Sequence, residues 1–134
     1  MTTKQKTVAG FTIVVLVFLL GFVPQYLEKR QIQSELTTST EKLKMSELRD
    51  LAAMMLLEAL RQNYGLARDY SSQYFDKLRE TSEQAENSTL KTQLQELLDS
   101  RDTVTAALSK ADPASASQLQ EIFVKTQAAT KVQP

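Results

Sequence analysis

Tyr64, Tyr70, Tyr74 and Phe75 stand together within residues 64–75, the aromatic-rich part of the chain downstream of its N-terminal apolar run. With Arg101 they are the residues whose types suit recognition. Rings supply flat apolar contact, hydroxyls a polar handle, and a guanidinium a fixed fork for an anion. The chemistry they offer is binding, as a ligand pocket or partner patch between helices. The same rings also fit a helical core whose hydroxyls reach the surface. Arg101 fits a side chain whose stem lies over apolar neighbours while its head reaches water near Asp99 or Asp102. The core reading is the preferred one.

Bond-making chemistry has little to work with. The chain has no histidine and no cysteine, which removes the commonest general base, the commonest metal ligands and any disulfide framework. No nucleophile elbow, phosphate loop, dinucleotide fingerprint or metal-ligand spacing occurs. The carboxylates are spread at helix-surface spacing, with Asp76 and Glu80 flanking Lys77 and Arg79, and solvated faces account for them. The expectation is a protein that is no enzyme and uses no cofactor and no metal.

The elements that would position these residues are helices. After Tyr26 the only glycine is Gly65 and the only prolines are Pro113 and Pro134, so long helices with few breaks follow. Residues 46–62 carry Leu48, Leu51, Ala52, Met55, Leu56 and Ala59 at spacings of three and four. Met54, Leu57 and Leu60 widen that stripe. Ala53, Leu57, Leu60, Tyr64, Ala67, Ser71, Tyr74 and Leu78 keep a 4-3-4-3 spacing straight through Gly65, as one unbroken helix would. Asn63-Tyr64-Gly65 is nevertheless turn chemistry. A reversal there yields helices of similar length, about 46–62, 65–84, 89–110 and 115–130, able to cover each other as an antiparallel bundle. The reversal is preferred, with Gly65 in a left-handed conformation just past the first helix and Leu56 or Leu57 in the core. A three-helix or coiled-coil rod is the alternative.

Further along, Asn87 or Ser88 is placed to cap a helix carrying Leu90, Leu94, Leu97, Arg101, Val104, Leu108 and Ala111. Asp112-Pro113 ends it and opens the last helix, with Leu119, Ile122 and Phe123 on its apolar face. Residues 131–134 form a frayed tail. NYGLARDYSSQYF resembles the second helix of a tetratricopeptide repeat at Asn63, Tyr64, Ala67 and Tyr74. The likeness covers one repeat without a second copy, and no property is carried over from it.

Upstream, residues 1–6 are a short basic tail with Lys4 and Lys6, and residues 7–27 contain no charge. As a helix that run is about 30 Å long, the thickness of a bilayer's hydrocarbon core. It is longer than the apolar part of a cleaved leader and has no small-x-small site after it. Tyr26 and the flanking Lys29 and Arg30 suit a membrane interface. The expected fold class is therefore all-α: one N-terminal transmembrane helix, a helical stalk over 28–45, and an antiparallel bundle over 46–130.

The stalk carries Ile32, Leu36 and Leu43 as a thin coiled-coil-like seam. Its Thr37-Thr38-Ser39-Thr40 run weakens helix, and Thr38-x-x-Glu41 fits a capping box at which a helix would restart. The basic tail before a first apolar segment favours an N-in signal anchor, which puts residues 28–134 in a bacterial periplasm. Two of the 16 Lys and Arg precede the span, leaving 14 against 16 Asp and Glu, a mixed surface with no footprint for nucleic acid.

Two functions fit. One is an anchored module that binds a partner protein or forms homo-oligomers, with the lipid bilayer as its other partner. The other is a ligand-sensing input domain, because an anchor followed by a four-helix bundle resembles bacterial chemoreceptor-type sensors in layout. Without a return span or output domain, such a sensor would signal through a membrane partner.

Overall fold

The structure, a computed structural model, describes the backbone of residues 3–131 and the side chains of residues 29–131. Five helices follow in order: α1 (Thr3–Leu60), α2 (Tyr64–Gln84), α3 (Ser88–Leu98), α4 (Arg101–Ser109) and α5 (Ser115–Ala129), with no strand among the described residues. Among the residues whose side chains are described, 29–131, no helix is long and apolar enough to cross a membrane. The side chains of the expected span, 7–27, lie outside the described residues, as do residues 132–134 of the expected tail. Contacts divide the chain into two compact units, residues 1–40 and 41–134.

In the first unit the described side chains, 29–40, are all exposed. The Thr-Thr-Ser-Thr run does not interrupt α1. The hydroxyls of Thr37, Thr38 and Thr40 donate to the carbonyls of Gln33, Ser34 and Leu36, at 2.8–2.9 Å. Bonding four residues back satisfies these hydroxyls inside a helix, and it turns Thr38 away from the forward cap that a restart needs.

The second unit is a helical bundle of four legs, one of them the α3–α4 pair. Their direction can be read from facing side chains. Glu47 meets Lys77 and Lys44 meets Glu80, so the end of α1 and α2 run antiparallel. Arg101 meets Asp76, and Lys44 also donates to Gln84. These pairs are largely solvated and worth little individually. The core does the holding: Leu48, Ala52, Met55 and Ala59 of α1 join Ala67, Tyr74, Phe75 and Leu78 of α2, Leu94 and Leu97 of α3, Val104 and Leu108 of α4, and Leu119 and Ile122 of α5 in one buried cluster. Burying each of the larger members, the leucines, Met55, Phe75, Val104 and Ile122, stabilises the fold by roughly 1.5–3 kcal/mol. Residues 44 and 45, assigned to the stalk from sequence, lie with this unit, because Lys44 pairs with α2 and Met45 packs on the cluster.

The reversal after α1 occurs where the turn chemistry points, but another residue makes it. Gln62 takes the left-handed backbone (φ 61°), whereas Gly65 sits inside the first turn of α2 without a positive φ. The Gln62 N–H donates to Ala59 O (3.0 Å) and the Asn63 N–H to Glu58 O (2.9 Å), closing the helix end with a paired Schellman turn. Asn63 then starts α2: its Oδ1 accepts from the Leu66 N–H and its Nδ2 donates to Glu58 Oε2 at 3.1 Å. Glu58, only 5% exposed, also holds Arg61 at 3.0 Å. It is thus a buried carboxylate stapling the turn, not part of a solvated face.

This reversal removes the rod alternative. The 4-3-4-3 stripe through Gly65 belongs to two helices: Ala67, Ser71, Tyr74 and Leu78 are buried, while Leu57 and Leu60 are exposed. Of the two leucines expected in the core, Leu56 packs against it and Leu57 does not.

Residues 89–110 form two helices instead of one. The chain tightens at Asp99 and Ser100, where Ser100 N and Oγ both donate to Leu97 O. Both residues stay near right-handed (ψ −20° and −6°), so the buried stripe Leu94, Leu97, Val104, Leu108 keeps its phase across the break. Asn87 caps α3 through Thr89 N and Leu90 N. Ala111 (φ 50°) ends α4 as Gln62 ends α1, and Asp112 Oδ1 accepts the Ala114 N–H ahead of α5. At the far end, Arg49 donates to Thr130 O at 3.0 Å, placing a cation at the C-terminus of α5.

Candidate functional site

The five residues singled out from sequence fall in different surroundings. Tyr74 and Phe75 are 0% and 1% exposed, with ring centroids 5.1 Å apart at 73°, an edge-to-face pair in the core. The Tyr74 hydroxyl lies 2.6 Å from Thr126 Oγ1, and Thr126 in turn donates to Ile122 O. Burial pushes the Tyr74 phenol up to about 12, against the opposing pull of the Thr126 hydrogen bond. Neither ring offers surface to a ligand or partner. Tyr64 and Tyr70 are half-buried against the same cluster. Arg101 reaches across to Asp76 on α2 at 3.3 Å, not to its chain neighbours Asp99 or Asp102.

Two features were not singled out from sequence. The first is a cleft of about 210 Å³ between the α3–α4 leg and α5. Leu97, Val104 and Ile122 floor it, and Glu96, Gln118, Glu121 and Lys125 bring polar groups to it. Lys125 holds Glu121 at 2.6 Å, and this hydrogen-bonded pair keeps the Glu121 carboxyl below its ordinary range and the Lys125 ammonium above its own. Gln118 Oε1 is buried and has no hydrogen-bond partner among the described residues. The lining is amphipathic at the scale of a small polar molecule. No side chain in it pairs a nucleophile with a base.

The second feature is a set of open large aliphatic side chains, two in the first unit and three in the second. Ile32, Leu36, Leu43 and Leu60 are 59–63% exposed, and Leu57 is 38% exposed. At about 100° per residue, Leu57 is turned roughly 140–160° from Ala52 and Met55, which face the core. Scattered single apolar residues on a surface are ordinary, but Leu57 and Leu60, three residues apart on α1, are exposed neighbours within the second unit. Leu57 and Leu60 were absorbed into the core stripe, because hydropathy alone cannot say how wide a helix's covered face is.

Among the described residues no group of three or more acidic side chains is placed to hold a metal ion. No protein-family model, curated protein or solved structure matches the chain.

Proposed function

We infer that the protein is a membrane-anchored helical interaction module. Residues 7–27 tether it to the bilayer, and the bundle and its leading helix stand on the non-cytoplasmic side of a bacterial inner membrane. The supporting observation is the set of aliphatic side chains that the second unit leaves exposed on its first helix, Leu43, Leu57 and Leu60. That surface makes contacts and leaves chemistry to others: the protein is assigned no catalytic role. The uncharged run of residues 7–27 supports the tether, and the basic tail before it supports the orientation.

A test begins with fractionation. The full chain is expected to stay with membranes through high-salt and carbonate washing, and release by salt alone removes the tether. Fusions at the C-terminus then decide the side: alkaline phosphatase active and green fluorescent protein dark is the expected pattern, and the reverse moves the bundle into the cytoplasm.

A second reading, a ligand-sensing input domain, is favoured by the cleft lined by Glu96, Gln118, Glu121 and Lys125. Its surplus of acceptors over donors suits a small molecule bearing an amine or amide N–H. Calorimetric titration with small amines and amino acids separates the two readings. Saturable heat lost in Gln118→Leu supports sensing.

A further inference from the structure

We propose that the cleft between the α3–α4 leg and α5 takes a small organic monocation, a primary ammonium on a short aliphatic chain. The inference rests on the sensing reading and names its ligand class. Local periodicity builds the two walls. On the leg, Glu96, Ser100 and Val104 stand four residues apart, and the right-handed backbone at the break keeps them on one face. On α5, Gln118, Ile122 and Lys125 follow at spacings of four and three. Both walls belong to the second unit.

Charge selects the sign of the ligand. Two carboxylates, Glu96 and Glu121, face one ammonium, Lys125, so the lining carries one negative charge in excess. Lys125 is committed to Glu121 at 2.6 Å. Glu96 makes no ion pair of its own among the described residues, yet it stands close enough to help hold the Lys125 ammonium above its ordinary range. A single positive charge brought beside Glu96 neutralises the cleft. An anion deepens the excess, and a zwitterion leaves it as it was.

Gln118 supplies a second polar contact. Its Oε1 is shut off from solvent and has no donor among the described residues. The terminal torsion of a glutamine is broad, so the amide plane can turn in place to meet an N–H at the cleft. Such a donor relieves an acceptor that the fold leaves bare. The three donors of an ammonium match the Glu96 carboxylate, Gln118 Oε1 and the Thr103 hydroxyl. Leu97, Val104 and Ile122 floor the cleft for the carbon chain, and its 210 Å³ equal about seven water volumes, room for about four carbons beside the ammonium.

Calorimetry of the full chain in a non-ionic detergent tests this with probes of similar size: butylammonium, butyramide, butyrate and norvaline. Butylammonium is expected to bind saturably, with a dissociation constant of about a millimolar or below, and about tenfold tighter than the others. Glu96→Gln is expected to weaken it about fivefold or more. Lys125→Gln, which frees Glu121 for the ligand, is expected to tighten it about threefold. Asp69→Asn, outside the cleft, is expected to leave it unchanged. Opposite shifts from two exposed positions are a signature that a folding defect does not produce, and melting temperatures near that of the native chain show that each variant folds.

Butylammonium heat that is absent, or indifferent to both cleft variants, overturns the proposal. Norvaline or butyramide binding tighter than butylammonium, and lost in Gln118→Leu, overturns the ligand class and leaves the sensing reading standing. Butylammonium bound as expected, with amide chemical-shift changes confined to residues 96–125, keeps the ligand class and removes the sensing reading.

Discussion

Leu36 and Leu43 on one side of α1, and Leu48 and Met55 further along it, are similar in size and hydropathy, yet the first pair is about three-fifths open and the second pair has no exposed surface. The difference lies in the surroundings. Leu36 and Leu43 are left exposed, whereas Leu48 and Met55 join the buried cluster with side chains of α2, α3, α4 and α5. A helix face becomes core only when another element covers it, and burial then supplies the stabilisation that propensity does not. The comparison teaches that an apolar side chain on a helix becomes core only where a neighbour covers it, whatever its hydropathy.

The widest separation between the two regions is in truncation energetics. Met55→Ala is expected to cost about 2–5 kcal/mol of bundle stability, because it leaves a cavity at a site with no exposed surface. Leu43→Ala, measured at protein concentrations too low for self-association, is expected to move stability by less than about 0.5 kcal/mol. Urea unfolding of the full chain in mild detergent, followed by circular dichroism, measures both. Equal effects would erase the distinction between covered and open faces.

A second effect is confined to the covered region. Tyr74 has its phenol raised from 10.0 to about 12 in the fold, so the neutral form is what the folded state favours. Its contribution is therefore complete below pH 10 and disappears as pH rises from 10 to about 12, a loss of about 3 kcal/mol for two units. Tyr74→Phe is expected to cost about 1 kcal/mol at pH 7, from the lost bond to Thr126, and to flatten the alkaline decline. Melts across pH 8–12 of the two proteins, subtracted, isolate this group from the lysines titrating nearby in pH. An unchanged alkaline slope would mean that Tyr74 is reached by water.

Smaller effects sharpen the boundary at which α1 stops presenting either face. Gln62 pays a left-handed backbone penalty that glycine avoids, so Gln62→Gly is expected to stabilise the bundle by about 1 kcal/mol in thermal melts. A fall in melting temperature would show that the chain reverses at another residue.

A smaller stabilising change than Gln62→Gly is expected from Gly65→Ala. A Cβ there meets nothing within 4 Å and the backbone is helical, so the substitution is expected to raise stability by about 0.5 kcal/mol. A loss of stability would return the left-handed role to Gly65.

Much of the architecture was legible in the chain alone. The helical class, the reversal near Asn63, the cap at Asn87, the stop at Asp112-Pro113 and the stripe of Leu48, Ala52, Met55 and Ala59 follow from local rules. Glycine and proline scarcity, side-chain capping and 3.6-residue periodicity act over a turn or two of helix and need no partner. The same local rules mark residues 7–27 as one uncharged apolar run.

Tertiary structure decided what depends on neighbours distant in sequence. That Gln62 and not Gly65 carries the left-handed turn depends on where α1 must end for Glu58 to hold Arg61 and Asn63. That Arg101 bonds Asp76, that Glu47 bonds Lys77, and that Tyr74 is buried on Thr126 depend on which legs stand side by side. Leu57 and Leu60 are exposed because the width of a covered face is fixed by the number and position of its neighbours, a quantity that no single helix encodes.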